Sequence, residues 1–148
     1  MIRTCLPVVV ILFAHVSSAQ QNFTFNKDHD ALQVKNLAVS ADFYQNILGL
    51  KEIPNGGLPN HIRWFQLNDK VQVHLIESRE EIEKNKGVHM ALNVDDLSGF
   101  MEHLRKQNVH FENWEGEENT TNDRPDGVKQ IYFQDPDGYW IEVNDGKL

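Results

Sequence analysis

Apolar and polar positions follow the same order twice along this chain. Residues 29–37 read HDALQVKNL and residues 89–97 read HMALNVDDL, so the same pattern recurs 60 positions later. In a strand, alternate residues lie on opposite faces, which gives each copy an apolar face and a polar face headed by a histidine. Each copy reads as a strand followed by the start of a helix. We therefore infer a repeated supersecondary unit.

Each copy is followed by the same series of predicted elements. The first helix has Ser40 as its N-cap and ends at Gly49, and the second is capped by Asp95 or Asp96. Strands are predicted at residues 27–35, 50–53, 61–67 and 71–77, and again at residues 88–94, 109–112, 128–134 and 139–144. The sequence therefore predicts an α+β fold of two βαβββ units.

Two segments lie between these elements. Residues 78–87 are a charged connector, predicted to contain one helical turn, between units at about residues 27–77 and 87–144. Residues 113–127 are predicted to be a long acidic loop. No second core is expected.

The first 19 residues have the outline of a secretory signal peptide. Arg3 precedes an apolar run at residues 8–14, and small residues at 17–19 suit cleavage. The run is too short for a stable membrane span, which needs about 20 apolar residues. We expect a mature domain at residues 20–148, exported to the periplasm or secreted.

Composition narrows the classes of partner and of metal ligand. The chain has 14 basic and 22 acidic residues, a net charge of −8, which argues against nucleic acid as a partner. Its only cysteine, Cys5, lies in the leader, so the mature chain offers neither a disulfide nor a thiolate ligand. Any metal would bind nitrogen and oxygen atoms.

Three histidines and one glutamate lie at matching places on the polar strand faces. His29 and His89 are on the first strands of the units, and His74 and Glu142 are on the last strands. One histidine alone is more often structural than a ligand, but the matching placement of all four favours a shared cavity. Such a set suits a divalent ion such as zinc, nickel, iron, cobalt or manganese. No Lys or Arg shares the strand face of Glu142, so this carboxylate would need the ion as its cationic partner.

The chain resembles the vicinal oxygen chelate superfamily over about residues 27–145. The resemblance rests on the two histidine strands, on LGL at residues 48–50 and, most specifically, on FQDPDGYWIE at residues 133–142. It implies two repeated βαβββ units that form a cupped mixed sheet around a metal site. This superfamily includes glyoxalase I, fosfomycin-resistance proteins, extradiol dioxygenases and bleomycin-binding proteins.

The resemblance also implies roles for individual residues. His29, His89 and Glu142 match three metal ligands that several branches share. The position of His74 usually carries a glutamate in glyoxalase I-like members, and this chain departs from them there. The implied function is a metal-dependent lyase or isomerase that acts on a small substrate with neighbouring oxygens. Glu142 would then be both a ligand and the base that moves a proton between adjacent carbons.

Two other functions stay open at this point. One is an extradiol-type iron dioxygenase with His74 as an acid–base group beside the metal. The other is a non-enzymatic protein that sequesters a small toxic compound such as an antibiotic. Arg63, Trp64 and Trp114 are candidate substrate-binding residues, although ordinary burial would also explain the tryptophans. The resemblance implies a homodimer, in which one site can combine ligands from the first unit of one chain and the second unit of its partner.

Overall fold

The computed structural model describes residues 24–147, and the signal peptide predicted at residues 1–19 lies outside them. The elements are, in order, β1 (His29–Val34), α1 (Leu37–Asn46), β2 (Lys51–Ile53), β3 (Ile62–Gln66), β4 (Gln72–Glu77), β5 (His89–Asn93), α2 (Leu97–Lys106), β6 (Asn122–Asp123), β7 (Lys129–Gln134) and β8 (Trp140–Asn144). We call β1–β4 with α1 the first unit and β5–β8 with α2 the second unit. The predicted α+β fold of two βαβββ units is confirmed.

Each unit forms its own four-stranded mixed sheet. The strand orders are β1-β4-β3-β2 and β5-β8-β7-β6. β1 runs parallel to β4 and β5 parallel to β8, and the remaining pairs are antiparallel. β1 and β5 are therefore edge strands. Across residues 24–147, each of these two strands pairs with another strand on one side only.

Each helix packs on the apolar face of its own sheet. Ala41 and Tyr44 of α1 are fully buried in the first core, and Leu104 of α2 is fully buried in the second. The strands contribute the apolar residues that alternate with the polar face, namely Phe65, Val73 and Leu75 in the first unit and Ile131, Phe133, Ile141 and Val143 in the second. Burying one large apolar side chain contributes about 1.5–3 kcal/mol.

Helix α1 also joins the two units, because its other apolar side packs against the second core. Phe43, Ile47 and Leu48 are half-buried there. Beside them the hydroxyl of Tyr44 donates a hydrogen bond to Asp135 Oδ2 at 3.0 Å, and both side chains are buried. Burial raises the pKa of the Asp135 carboxyl and raises the pKa of Tyr44 well above its ordinary value.

The β7–β8 turn extends across this boundary to the free edge of β1. The backbone N–H of Gln33 donates to the Tyr139 hydroxyl at 3.1 Å, and the N–H of Lys35 donates to Asp137 Oδ1 at 2.7 Å. Asp137 Oδ2 also accepts from the Ser40 hydroxyl at 2.6 Å. These bonds satisfy backbone donors that β4 does not reach, and they fasten the second unit to the first.

The first helix begins four residues earlier than the sequence predicted. Its N-cap is Asn36, whose Oδ1 accepts two backbone N–H groups of the first turn. Ser40 is instead a buried residue of the helix, where its hydroxyl bonds to the second unit. Both residue types cap helices well, so the prediction chose the wrong one of two suitable caps. The N-cap Asp96 of α2 is confirmed, since it accepts the N–H of Gly99 at 2.8 Å.

The strand predicted at residues 109–112 is reduced to one bridging residue. Glu112 and Tyr132 exchange both backbone hydrogen bonds, at 2.8 and 2.7 Å. The chain then turns, with the N–H of Gly116 donating to the Asn113 carbonyl, and it pairs with β7 again only at β6. The predicted loop at residues 113–127 therefore contains a two-residue strand.

One smaller expectation also changes. Residues 78–87 contain no helical turn, and a hydrogen-bonded turn forms only at residues 86–87. On α2 the ring of His103 is half-buried, and its Nε2 lies 3.1 Å from the Ile47 carbonyl oxygen. Within residues 24–147, no helix has the length and apolar character needed to cross a bilayer.

Candidate metal centre

Three aromatic rings form a stack on the polar face of the first unit. The ring of His29 lies on the ring of His74, with centroids 4.1 Å apart and planes 14° from parallel. The indole of Trp64 lies on the other side of His74, at 4.2 Å and 6°. Strand register explains the stack, because Trp64 is the β3 partner of His74 and Ala31 is its β1 partner. The small side chain of Ala31 leaves room for the imidazoles beside it.

Hydrogen bonds fix which nitrogen of each first-unit histidine is free. Nδ1 of His29 lies 2.6 Å from Asp28 Oδ2, and a carboxylate only accepts, so Nδ1 carries the proton and Nε2 is left free. Nε2 of His74 lies 2.8 Å from Gln72 Oε1. Burial first, and then the charge of His29, lower the pKa of His74. His74 is therefore a neutral, stacked imidazole at neutral pH.

The polar face of the second unit carries a histidine–carboxylate pair instead. Nδ1 of His89 lies 2.7 Å from the Lys86 carbonyl oxygen, so this nitrogen also carries the proton. The other ring nitrogen, Nε2, lies 3.2 Å from Glu142 Oε2. Glu142 stands next to Ala91 across β5 and β8, as His74 stands next to Ala31 in the first unit.

Glu142 is only 5% exposed, and both of its oxygens are hydrogen-bonded. The hydroxyl of Tyr132 donates to Oε2 at 2.7 Å, and the side-chain amide of Asn144 donates to Oε1 at 2.7 Å. Burial and the bond to Glu142 raise the pKa of Tyr132, so it stays a donor. The sequence analysis missed one cation, because Arg124 reaches this site from outside the strand, with Nη1 3.9 Å from Oε1. At that distance Arg124 is only a partial charge partner of Glu142.

The four predicted ligands therefore lie in two pairs, one on each unit. His29 and His74 are together, and His89 and Glu142 are together. Among residues 24–147, no three His, Cys, Asp or Glu side chains are arranged to hold one metal ion. One chain in this conformation thus presents two half-sites.

Of the candidate substrate residues, two lie on the polar faces and one does not. Trp64 belongs to the first-unit stack. Trp114 is 46% exposed and packs edge-on against Tyr132 at 5.5 Å in the second unit. Arg63 lies on the opposite face of β3, where it forms an ion pair with Glu52 at 2.6 Å and covers the ring of Phe65. Because Arg63 is one residue before Trp64 on the strand, its side chain points away from the histidines. We therefore no longer count it among the candidate substrate-binding residues.

Sequence reasoning also missed several residues that support the site. Tyr132 and Asn144 bond to Glu142, Gln72 bonds to His74, and Lys86 holds His89 through its carbonyl. Tyr132 carried a usable signal, because it alternates with Gln130 and Gln134 on the polar face of β7. Nothing in the sequence indicated that Lys86 would contact the site.

Comparison with known proteins gives the class of this chain. Residues 27–143 match the Glyoxalase/Bleomycin resistance protein/Dioxygenase superfamily, which covers both units. The chain therefore belongs to this superfamily.

Three relatives are similar over most of their length. YwbC of Bacillus subtilis, itself uncharacterized, is 31% identical over 122 residues, which is 78% of this chain and 93% of that protein. The metallothiol transferase FosB of Staphylococcus epidermidis is 28% identical over 127 residues, 82% of this chain and 84% of FosB. A lactoylglutathione lyase of Neisseria meningitidis is 30% identical over 125 residues, 77% of this chain and 86% of the lyase.

A solved structure supports the fold. A point mutant of the fosfomycin resistance protein FosX of Listeria monocytogenes, complexed with Mn(II) and 1S,2S-dihydroxypropylphosphonic acid, matches with a TM-score of 0.69. It is 21% identical, and the match covers 85% of this chain and 95% of FosX. At this identity the likeness concerns the arrangement of strands and helices.

Proposed function

We propose that this protein is a divalent-metal-dependent enzyme, of the lyase or isomerase kind, that acts on a small substrate with two neighbouring oxygens. The observation that carries the proposal is the His89–Glu142 pair. Nδ1 of His89 is committed to a carbonyl, so Nε2 faces a buried carboxylate oxygen either as a protonated nitrogen or with a cation beside it. These two atoms lie 3.2 Å apart, so both would hold the same divalent ion.

His29 completes the ligand set on chemical grounds. Its Nδ1, like that of His89, is held by an oxygen acceptor, and its Nε2 is free, which is the usual arrangement of metal-binding histidines. His74 fits less well beside it. Its ring lies nearly parallel to that of His29 at 4.1 Å, and its Nε2 is bonded to Gln72. We therefore propose His29, His89 and Glu142 as ligands, with His74 next to them.

The two half-sites meet if two copies of the chain pair. His29 and His89 both lie on edge strands whose outer sides pair with no other strand within residues 24–147. Unpaired strand edges readily accept another strand. Val88, which precedes β5, is 75% exposed and would be covered by such contact. A homodimer in which β1 of one copy lies beside β5 of the other would bring the ligands together.

Complementation between two inactive variants tests the shared site. His29→Phe and Glu142→Ala each inactivate one half-site and should be inactive as homodimers. After subunit exchange, a mixed dimer has one site with both changes and one site with neither, so about a quarter of wild-type activity should return. A mixture of exchanged subunits that stays inactive would refute the shared site. So would a protein that light scattering shows to be monomeric and that still binds metal. Either result would leave the metal proposal standing.

In the chemistry proposed, a bound divalent ion would act as a Lewis acid on the substrate oxygens. Glu142 would move a proton between adjacent carbons, with Tyr132 and Asn144 holding its oxygens in place. The 30% identity to a lactoylglutathione lyase supports this reaction class. Elemental analysis of the purified protein, followed by a substrate screen with the metal found, tests it.

A second candidate is an extradiol-type iron dioxygenase. Two histidines and one carboxylate form the ligand set that such iron enzymes use, and His74 would stand beside it as a neutral base. Iron as the bound metal, with oxygen uptake on addition of a catechol, would favour this candidate. Tight binding of a small compound without any metal would favour a sequestering protein instead.

We also propose that the protein is exported after cleavage near Ala19. The support is the apolar run at residues 8–14 followed by small residues at 17–19. N-terminal sequencing of the native protein should find Gln20 first, and an intact Met1 in a cytoplasmic fraction would refute this.

A further inference from the structure

The Lys86 ammonium has a complete set of partners in the second unit. Nζ donates to Glu112 Oε1 at 2.5 Å and to the carbonyl oxygens of Asn113 and Trp114 at 2.7 and 3.1 Å. An ammonium has three protons, so each has an acceptor. The side chain is 16% exposed, which makes this an enclosed contact rather than a surface ion pair.

Three aromatic rings surround the same ammonium. Nζ lies 4.8 Å from the ring centroid of Trp140, 5.2 Å from that of Tyr132 and 6.0 Å from that of Trp114. A cation this close to aromatic faces is attracted by them, and more strongly when water is excluded. The side chain of Lys86 therefore holds the segment at residues 112–114 and the ring of Tyr132 in fixed positions.

The backbone of Lys86 contacts the proposed metal centre directly. Its carbonyl oxygen accepts the Nδ1 proton of His89 at 2.7 Å. The ring of Tyr132, under the ammonium, packs edge-on against His89 at 5.4 Å, and its hydroxyl bonds to Glu142. Lys86 thus bonds to one proposed second-unit ligand and packs on the residue that bonds to the other, without being a ligand itself.

We propose that Lys86 is a positioning residue for the metal centre. Its ammonium, fixed by Glu112 and by the surrounding rings, holds its own carbonyl where it keeps His89 in the orientation that leaves Nε2 for the metal. The first unit lacks this arrangement. The matching position there is Asn26, and His29 is oriented by Asp28, whose side chain is 87% exposed.

This inference rests on the proposed function for its metal readout, so the experiment has a second readout that needs no metal. In Lys86→Met the stem keeps its length and loses the charge. Metal affinity, measured by competition with a chelator, should fall about 10–100-fold, as expected when a partner of a ligand is lost. In the metal-free protein, the Nδ1–H signal of His89 in ¹⁵N–¹H spectra should be protected from solvent exchange in wild type and broadened or absent in the variant.

The matched control is Lys129→Met, also in the second unit. Lys129 forms an exposed ion pair with Asp123 at 2.8 Å, away from the metal centre, and its loss should change neither readout. If Lys86→Met does not fold, Glu112→Gln gives the test, because it keeps an acceptor oxygen and removes only the charge. It should cause a smaller loss in both measurements.

The outcomes separate the two proposals. A folded Lys86→Met protein with a lower melting temperature but unchanged His89 signal and metal affinity would overturn the positioning role, since Lys86 would then be structural only. A wild-type protein that binds no divalent metal would overturn the proposed function, and the His89 signal would still decide the role of Lys86.

Discussion

The two units place different chemistry on the same backbone positions. Where the first unit has the neutral His74, the second has the buried carboxylate of Glu142, and both stand next to an alanine on the edge strand. Where the first unit stacks Trp64 on that position, the second places Tyr132, which donates a hydrogen bond. The first unit is thus an aromatic stack, and the second is a hydrogen-bonded charged site.

This difference indicates a division of roles between the units. Burying a carboxylate is costly unless a cation and hydrogen bonds compensate for it. In the second unit Tyr132 and Asn144 supply the hydrogen bonds, and the proposed metal ion would supply the cation. A stack of flat, largely apolar rings has no such requirement. Apart from the free Nε2 of His29, the exposed surface of the stack suits contact with a planar or apolar part of a substrate. The following predictions test that division.

The largest effect is expected at Glu142. Glu142→Gln keeps an oxygen ligand but removes the charge and the basicity, so turnover should fall roughly 10²–10⁴-fold while metal binds more weakly. Glu142→Ala should lose the metal as well. Elemental analysis and turnover of both variants measure this, with the exposed Glu102→Gln on α2 as control. Full metal and activity in Glu142→Gln would show that it is not the base, and full metal in Glu142→Ala would show that the site is wrong.

A smaller and unequal effect is expected from the two first-unit histidines. Phenylalanine preserves a stacked ring in either place and removes the nitrogens. His29→Phe should lower metal affinity more than about 100-fold, beyond the usual loss for a neighbour of a ligand, and His74→Phe should lower it by less. If the two variants lose metal affinity equally in a chelator titration, His74 is a ligand as well, and the four-ligand set with three imidazoles holds.

The smallest effect concerns the boundary between the units. The pKa of Asp135 is raised in the folded chain, mainly by burial. Its contribution to stability is therefore fully present below the unfolded pKa, and it is lost as pH rises through the folded pKa. Asp135→Asn keeps an acceptor for the N–H groups of Asp137 and Tyr139, so the variant should lack this pH-dependent loss.

Melting temperatures across the mildly acidic range measure the change, and about 1 kcal/mol would shift the melting temperature by a few degrees. Asp126→Asn is the control, because its effect on stability should change with pH in the opposite direction. The hydrogen bond from Arg124 lowers the pKa of Asp126, so the stability that Asp126 contributes is lost as pH falls. Identical pH profiles for wild type and Asp135→Asn would show that this carboxyl does not titrate as proposed.

The sequence predicted the repeated units and the polar strand faces, because period-two alternation and a 60-residue repeat are local signals. It did not predict the partners of those faces. Lys86 and Arg124 come from loops, and no periodicity relates a loop residue to a strand face. Ser40 was predicted as the cap because no local signal showed that its hydroxyl bonds to Asp137, which is 97 positions away. The prediction that Arg63 binds substrate overlooked a local signal, since the alternation of side chains along β3 already placed Arg63 on the face opposite Trp64.

The β7–β8 turn has a consequence for how far another strand could extend along β1. The N–H groups of Gln33 and Lys35 are already bonded to Tyr139 and Asp137, so an incoming strand would find its ladder blocked after His29 and Ala31. A long open edge is a template for fibre growth, and a short one permits only a brief, specific contact. The same turn that fastens the units together therefore also protects the chain from aggregation by strand addition at this edge.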